Sequence, residues 1–225
     1  CVTGVIGGRT ETRTLLLRAL AGLEYPSGGK ITFTGLDGAT SSGPSTGVSG
    51  AACLPPPGEE MFVGTTVDEE LDFYIKAGGL DREEAFTKLE QIGTYGFNTI
   101  RSRSVWELSD SERRLLLLVS QALAQPAAWL CDEPFALLDA ERLQEVRSLL
   151  ESQARKGAVV VVTSADAGDI LEMADRLLVL SPGGGATFQG KAADLPAETA
   201  RAEGWDQGLR RAAIEARKPR IGPGG

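Results

Sequence analysis

The chain has no histidine, only three cysteines and no long apolar run. Cys1, Cys53 and Cys131 are far apart, odd in number and without metal-like spacing, which argues against a disulfide framework or a zinc site. A reducing compartment is expected, either cytoplasm or an organelle's stroma or matrix. The longest apolar stretch, Leu115 to Val119, falls well short of the ~20 residues of a membrane-spanning helix. The chain is therefore expected to be peripheral to a membrane at most. Basic residues are in the minority, 23 against 31 acidic, for a formal charge of -8. A nucleic-acid binder that relies on phosphate neutralisation is unlike this, so the expected partner is a protein or a small ligand. A start at Cys1 without methionine, entering an apolar strand within two residues, implies a processed or truncated beginning.

What is present suits a sizeable folded domain: 225 residues, 42% of them hydrophobic. Val2 to Ile6 reads as a buried strand, "GGRTETRT" as a loop, and "LLLRALAGL" as a helix ending near Gly22. Lys30 to Thr34 alternates as a strand, whereas Ala39 to Gly50 is Ser, Gly and Thr-rich and reads as a mobile loop. Thr66 and Glu69 have capping-box spacing before a helix, and a second helix is expected from Asp81 to about Ile92. Further helices are expected over Ser109–Leu123, Ala140–Ala154, Asp166–Asp175 and from Ala193 onward, ending in a frayed "KPRIGPGG". Strands are expected at Ala128–Cys131, at "GAVVVVTS", which reads as buried on both faces, and at "RLLVLSPGG". Trp106 and Trp129 read as packing residues, and Cys131 as a small buried hydrophobe. Alternating strands and helices predict an α/β fold of three layers around a largely parallel sheet.

In such a sheet, ligands bind at the carboxyl ends of the strands, and Asp132 and Glu133 directly follow the strand from Ala128. Two carboxylates there suit a magnesium nucleotide, the first holding the hydrated ion and the second orienting or deprotonating water. An isolated Asp-Glu pair reads equally well as ordinary strand-exit acids.

The surrounding blocks alter that balance. "LCDEP" and "ALLDA", with "ELSDSERR" before and "VVVVTSADAGDILEMADRLLVL" after, resemble the ATP-binding-cassette (ABC) ATPases from about Val2 to Gly190. "GEEMFVGTTVDEELDF" looks most like the energy-coupling-factor and cobalt-type importers. The resemblance implies a P-loop NTPase-type domain over residues 1–190 with an inserted helical subdomain at about 66–125, then a C-terminal helical extension and flexible tail at 191–225. It also implies ATP and Mg2+ as cofactors, and as partner an ABC-type paralogue, a membrane subunit or a larger assembly.

By the same resemblance, the phosphate loop is Gly7 to Thr14, with Gly7, Thr10, Thr12, Arg13 and Thr14 at nucleotide-contacting positions. Thr14 and Asp132 are the metal residues, Glu133 and Ser164 the catalytic positions, and Ser109 and Asp139 further nucleotide-contacting and interface positions. Several depart from the family pattern. Thr10 and Thr12 stand in place of glycines, Arg13 in place of lysine, Pro55 in place of a glutamine, and Ser164 in place of a histidine. "LSDSE", Leu108 to Glu112, stands where the family has "LSGGQ". β-Branched residues disfavour the positive φ of phosphate loops, and a forked arginine is not a point-charge lysine. Ser109 and Glu112 have the spacing of a capping box that would satisfy the amides otherwise offered to a phosphate.

Three readings follow from the resemblance. The chain is an impaired nucleotide-binding subunit beside a competent paralogue, a pseudo-ATPase kept as a scaffold without nucleotide, or an active ATPase in which Arg13 replaces lysine.

Overall fold

A computed structural model describes residues 1–34, 40–43, 50–92, 97, 99–202 and 205. Six strands form the main sheet: β1 (Val2–Gly7), β4 (Ala51–Leu54), β5 (Ala128–Cys131), β6 (Val159–Thr163), β7 (Arg176–Leu180) and β8 (Ala186–Lys191), in the order β4-β5-β6-β1-β7-β8. All neighbours pair in parallel except β8, which runs antiparallel to β7 along one edge. A separate hairpin joins β2 (Ile31–Thr34) to β3 (Thr40–Gly43). The helices are α1 (Thr10–Leu20), α2 (Val67–Ala77), α3 (Arg82–Ile92), α4 (Asp110–Leu123), α5 (Ala140–Arg155), α6 (Ala167–Leu171) and α7 (Ala197–Ala202).

From β1 the chain crosses toward the β4 edge, while from β5 it returns through β6 to β7. Right-handed crossovers running in opposite directions place helices on both faces of the sheet, which is the expected α/β architecture. The strand order switches direction at β1, between β6 and β7, so the carboxyl ends of β1, β5 and β6 lie together beside that switch.

All four residues of β5 are buried, with Trp129 fully so. α4 buries Arg114 through Leu123 without a break, because the helix is enclosed and has no broad solvent face. Each of its buried leucines contributes roughly 1.5–3 kcal/mol relative to an exposed position. α2 starts from the capping box read in the sequence: the Thr66 hydroxyl accepts from Glu69 N–H while the Glu69 carboxylate accepts from Thr66 N–H.

Five expectations need correction. The loop read at Ala39–Gly50 includes a strand, since Thr40 to Gly43 pairs with β2; residues 39 and 44–49 lie outside the described residues. A Ser- and Thr-rich stretch can satisfy its backbone in a hairpin without apolar alternation. The valine run is not buried on both faces, because Val159 is exposed at the strand's start and Val161 is half-buried. The helix read from Asp166 to Asp175 spans only Ala167–Leu171. Trp106 is not a core residue: it is 64% exposed, edge-to-face with Phe62. α1 begins at Thr10, inside the stretch expected to be loop. Strands β4 and β8 lack a sequence signal, being short or exposed at the sheet edges. Of the helix read from Ala193 onward, α7 covers six residues; the frayed tail lies outside the described residues. Among the described residues, no helix is long and apolar enough to cross a membrane.

Candidate functional site

β5 delivers Asp132 to the sheet's carboxyl edge, where its amide still donates to Leu54 O (2.9 Å) and so continues the β4–β5 register. Its side chain is buried, and both oxygens are committed. Thr163 at the end of β6 donates to Oδ1 (2.5 Å), and Thr14 of α1 donates to Oδ2 (2.5 Å). The same Thr163 hydroxyl accepts from the Glu133 N–H (3.1 Å).

Glu133 turns the chain with φ +50°, an unusual conformation for a residue with a side chain. Contacts on both sides hold it there. Its N–H is tied to Thr163, while Arg114 donates to the carbonyls of Asp132 (2.5 Å) and Glu133 (2.6 Å). The Arg114 guanidinium also reaches Pro55 O (3.1 Å) and Glu60 Oε1 (3.1 Å), binding the 55–60 segment to the strand exit. Burial pulls the Arg114 pKa below the usual arginine value, and the Glu60 carboxylate opposes that shift. Cys131 is inert for the same reason, since burial pushes its thiol well above the usual range.

The Glu133 carboxylate is also fully engaged. Oε2 accepts from Ala165 N–H (2.9 Å) and Oε1 from Arg13 Nη2 (2.8 Å). The Arg13–Glu133 pair is nearly enclosed, with side-chain exposures of 4% and 13%. Arg13 further donates to Gly7 O (3.0 Å), Gly8 O (3.5 Å) and the Thr10 hydroxyl (3.2 Å), and its Nε is buried without a partner among the described residues.

The turn between β1 and α1 needs glycine at Gly7, where φ is +74° and a Cβ would lie 2.5 Å from Leu180 O. Only Gly8 and Arg9 separate strand from helix. Because α1 begins at Thr10, the amides of Thr12 and Arg13 already donate to Arg9 O (3.1 and 3.2 Å). Those N–H groups close a helix turn instead of facing a ligand.

The remaining sequence-derived candidates lie apart from this network. Ser164 is buried, and its hydroxyl accepts from Asp166 N–H (3.0 Å). Asp139 caps α5 by accepting from Arg142 N–H (2.9 Å), with its side chain in solvent. Ser109 caps α4 in the capping box expected from the sequence, accepting from Glu112 N–H (3.3 Å) while Glu112 accepts from Ser109 N–H (2.8 Å). Thr12 lines the outer side of α1 near Gly184. Among the described residues, no hydrogen bond joins Ser109, Thr12, Asp139 or Ser164 to the Asp132–Glu133 pair.

Sequence reasoning missed Thr163, Arg114, Glu60 and the Ala165 amide. Thr163 carried a signal as the one hydroxyl ending a valine run, and Arg114 as a charge placed directly before four leucines.

The Thr14 hydroxyl and the Asp132 carboxylate are the hard oxygen donors that Mg2+ accepts, an ion that ordinarily completes its shell with water and substrate phosphates. That half of the site fits a magnesium nucleotide. The phosphate half fits less well, because the guanidinium of Arg13 draws the Gly7 and Gly8 carbonyls to itself and the amides of Thr12 and Arg13 donate to Arg9 O. Among the described residues, no group of three or more His, Cys, Asp or Glu could hold a metal alone.

No protein-family model matches the chain. The Fe(3+) ions import ATP-binding protein FbpC of Rhizobium etli is 27% identical over 92% of this chain and 63% of its own length. The glucose import ATP-binding protein GlcV of Saccharolobus solfataricus is 27% identical over 80% of the chain and 52% of its own length. The chain thus spans between half and two thirds of these relatives. A solved ATP binding subunit of an ABC transporter superposes with a TM-score of 0.70 at 19% identity, covering 95% of this chain and 87% of that one. Along most of its length the chain is thus similar in sequence to import ATP-binding proteins, and its fold is that of the solved ATP binding subunit of an ABC transporter.

Proposed function

We propose that the chain is the ATP-binding-type subunit of a heteromeric transporter, with an impaired nucleotide site of its own, working beside a competent paralogue on a membrane subunit. Residues 1–190 form the nucleotide-binding domain in this reading, with the helical subdomain at about 66–125 and an extension at 191–225. The names of the relatives support an import role, and "GEEMFVGTTVDEELDF" supports a place near the energy-coupling-factor and cobalt-type importers. Asp132 and Thr14 are the residues that would hold Mg2+, Glu133 the one that would orient water, and Ser109 and Asp139 those that would face a partner.

The observation that carries the reading is the start of α1 at Thr10. A triphosphate cradle needs backbone N–H groups facing the ligand, and here those of Thr12 and Arg13 are consumed by Arg9 O. The capped N-terminus of α4 supports the same conclusion for a nucleotide held in trans, because Ser109 and Glu112 satisfy its amides and Asp110 adds like charge. The test is to restore the loop with Thr10→Gly, Thr12→Gly and Arg13→Lys together. At least tenfold tighter Mg-ATP binding than the unaltered chain is expected; unchanged affinity in a folded variant would reject an impairment located in this turn.

A second reading, a pseudo-ATPase that serves as a docking subunit without nucleotide, is favoured by the engagement of all four carboxylate oxygens of Asp132 and Glu133. It predicts that the restored variant also fails to bind, and that no cofactor is used.

A further inference from the structure

Arg13 differs from a phosphate-binding cation in one respect that the structure makes concrete: it already has an anion. Its guanidinium is 4% exposed and ion-paired with Glu133 at 2.8 Å. It also draws the carbonyls of Gly7 and Gly8 toward itself, so two oxygens of the β1–α1 turn face the guanidinium. Of its donors, Nε alone is buried with no partner among the described residues. A polyphosphate entering this turn meets two carbonyl dipoles and a carboxylate, with the cation that should attract it bound to that carboxylate. Repulsion and desolvation both oppose entry while the pair is closed.

We propose that the Arg13–Glu133 pair is an autoinhibitory contact, in which Glu133 occupies the anion position of Arg13 and polyphosphate binds only when the pair opens. This deepens the reading of an impaired nucleotide site and rests on it. Glu133 in the resting chain is then an internal competitor for phosphate, and its two oxygens, held by Arg13 and Ala165 N–H, are unavailable to orient water. The geometry makes opening local. Glu133 sits at a left-handed turn with some exposure to solvent, and Arg13 lies on the first turn of a helix joined to β1 by Gly8 and Arg9 alone.

The experiment is calorimetric titration of the full chain with inorganic pyrophosphate without magnesium, which separates binding from hydrolysis. Glu133→Ala should bind at least tenfold more tightly than the unaltered chain, and adding Arg13→Met to Glu133→Ala should return affinity to the starting level. Equal affinity in Glu133→Ala and the unaltered chain would overturn the proposal, as would tight binding that survives removal of Arg13. Should Glu133→Ala fail to fold by circular dichroism, Glu133→Gln keeps the shape and removes only the charge. At least a threefold gain is then expected, and no gain overturns the proposal. The underlying reading fails separately, if the unaltered chain binds Mg-ATP at micromolar concentration; the contact is judged on the ratios between variants.

Discussion

At the exit of β5, polar groups are satisfied across the sheet: Asp132 reaches β6 and α1, the carbonyls of residues 132 and 133 reach α4, and Arg114 extends the network to the 55–60 segment. At the β1–α1 turn, the groups are satisfied by one another: Gly7 O, Gly8 O and Thr10 all bond to Arg13, which is fixed to the rest of the site by Glu133. The first region is held by sheet register and a buried cation with four acceptors, the second by a single side chain at a helix start. On the proposed reading, the turn depends on which anion Arg13 pairs with, so the carboxylate half would retain the form of a magnesium site while the phosphate half is closed.

Substitutions that separate the two regions should rank accordingly. Arg114→Met removes a fully buried guanidinium and leaves Glu60 and three carbonyls without it, so a loss of about 3–5 kcal/mol is expected in chemical denaturation. A loss under about 1 kcal/mol would mean that the strand exit holds itself. Gly7→Ala places a Cβ 2.5 Å from Leu180 O at φ +74°, with an expected cost of about 1–3 kcal/mol. Arg13→Met should cost less than Arg114→Met, about 1–3 kcal/mol, because Glu133 keeps the Ala165 amide and reaches water. A reversed order between the two arginines would undo the comparison.

The smallest effect belongs to the N-terminus of α4. Ser109→Ala should cost about 1 kcal/mol by removing the cap. It should also change the acid limb of stability. The Ser109 N–H holds the Glu112 carboxyl below its usual value, with burial opposing and the Ser109 hydroxyl adding to the shift. A depressed folded pKa gives a stabilisation that is complete above the ordinary glutamate value of 4.5 and is lost as pH falls through the lower folded value. Glu112 is half-buried and still meets solvent, which keeps this contribution small. Thermal melts between pH 6 and 3 should therefore show a slightly shallower acid decline in Ser109→Ala, and identical slopes would mean that the Ser109 hydroxyl adds nothing to the hold of its N–H on Glu112.

The alternating pattern made the α/β architecture legible, and the strand exit and the two capping boxes could be read from local spacing. Each depends on residues a few positions apart. What could not be read depends on distant pairing. Arg13 meets Glu133 across 120 positions, and Thr163 meets Asp132 across 31. Arg13 could be named as a departure from lysine, but nothing in "RTETRT" says that its guanidinium turns onto a carboxylate. The start of α1 at Thr10 was missed because the Gly and Thr content of "GGRTETRT" reads as a turn. Trp106 does pack, but against Phe62 on the surface and not in the core, because a short helical turn holds the ring there. The hairpin at Thr40–Gly43 escaped because its residues lack apolar alternation.

The most direct test of the closed phosphate half is equilibrium titration of the unaltered chain with a fluorescent ATP analogue, with and without magnesium. No saturation is expected below about 1 mM, roughly -4 kcal/mol or weaker, with little dependence on magnesium. Saturable, magnesium-dependent binding in the micromolar range would contradict it, and would mean that Arg13 releases Glu133 to bind phosphate without help.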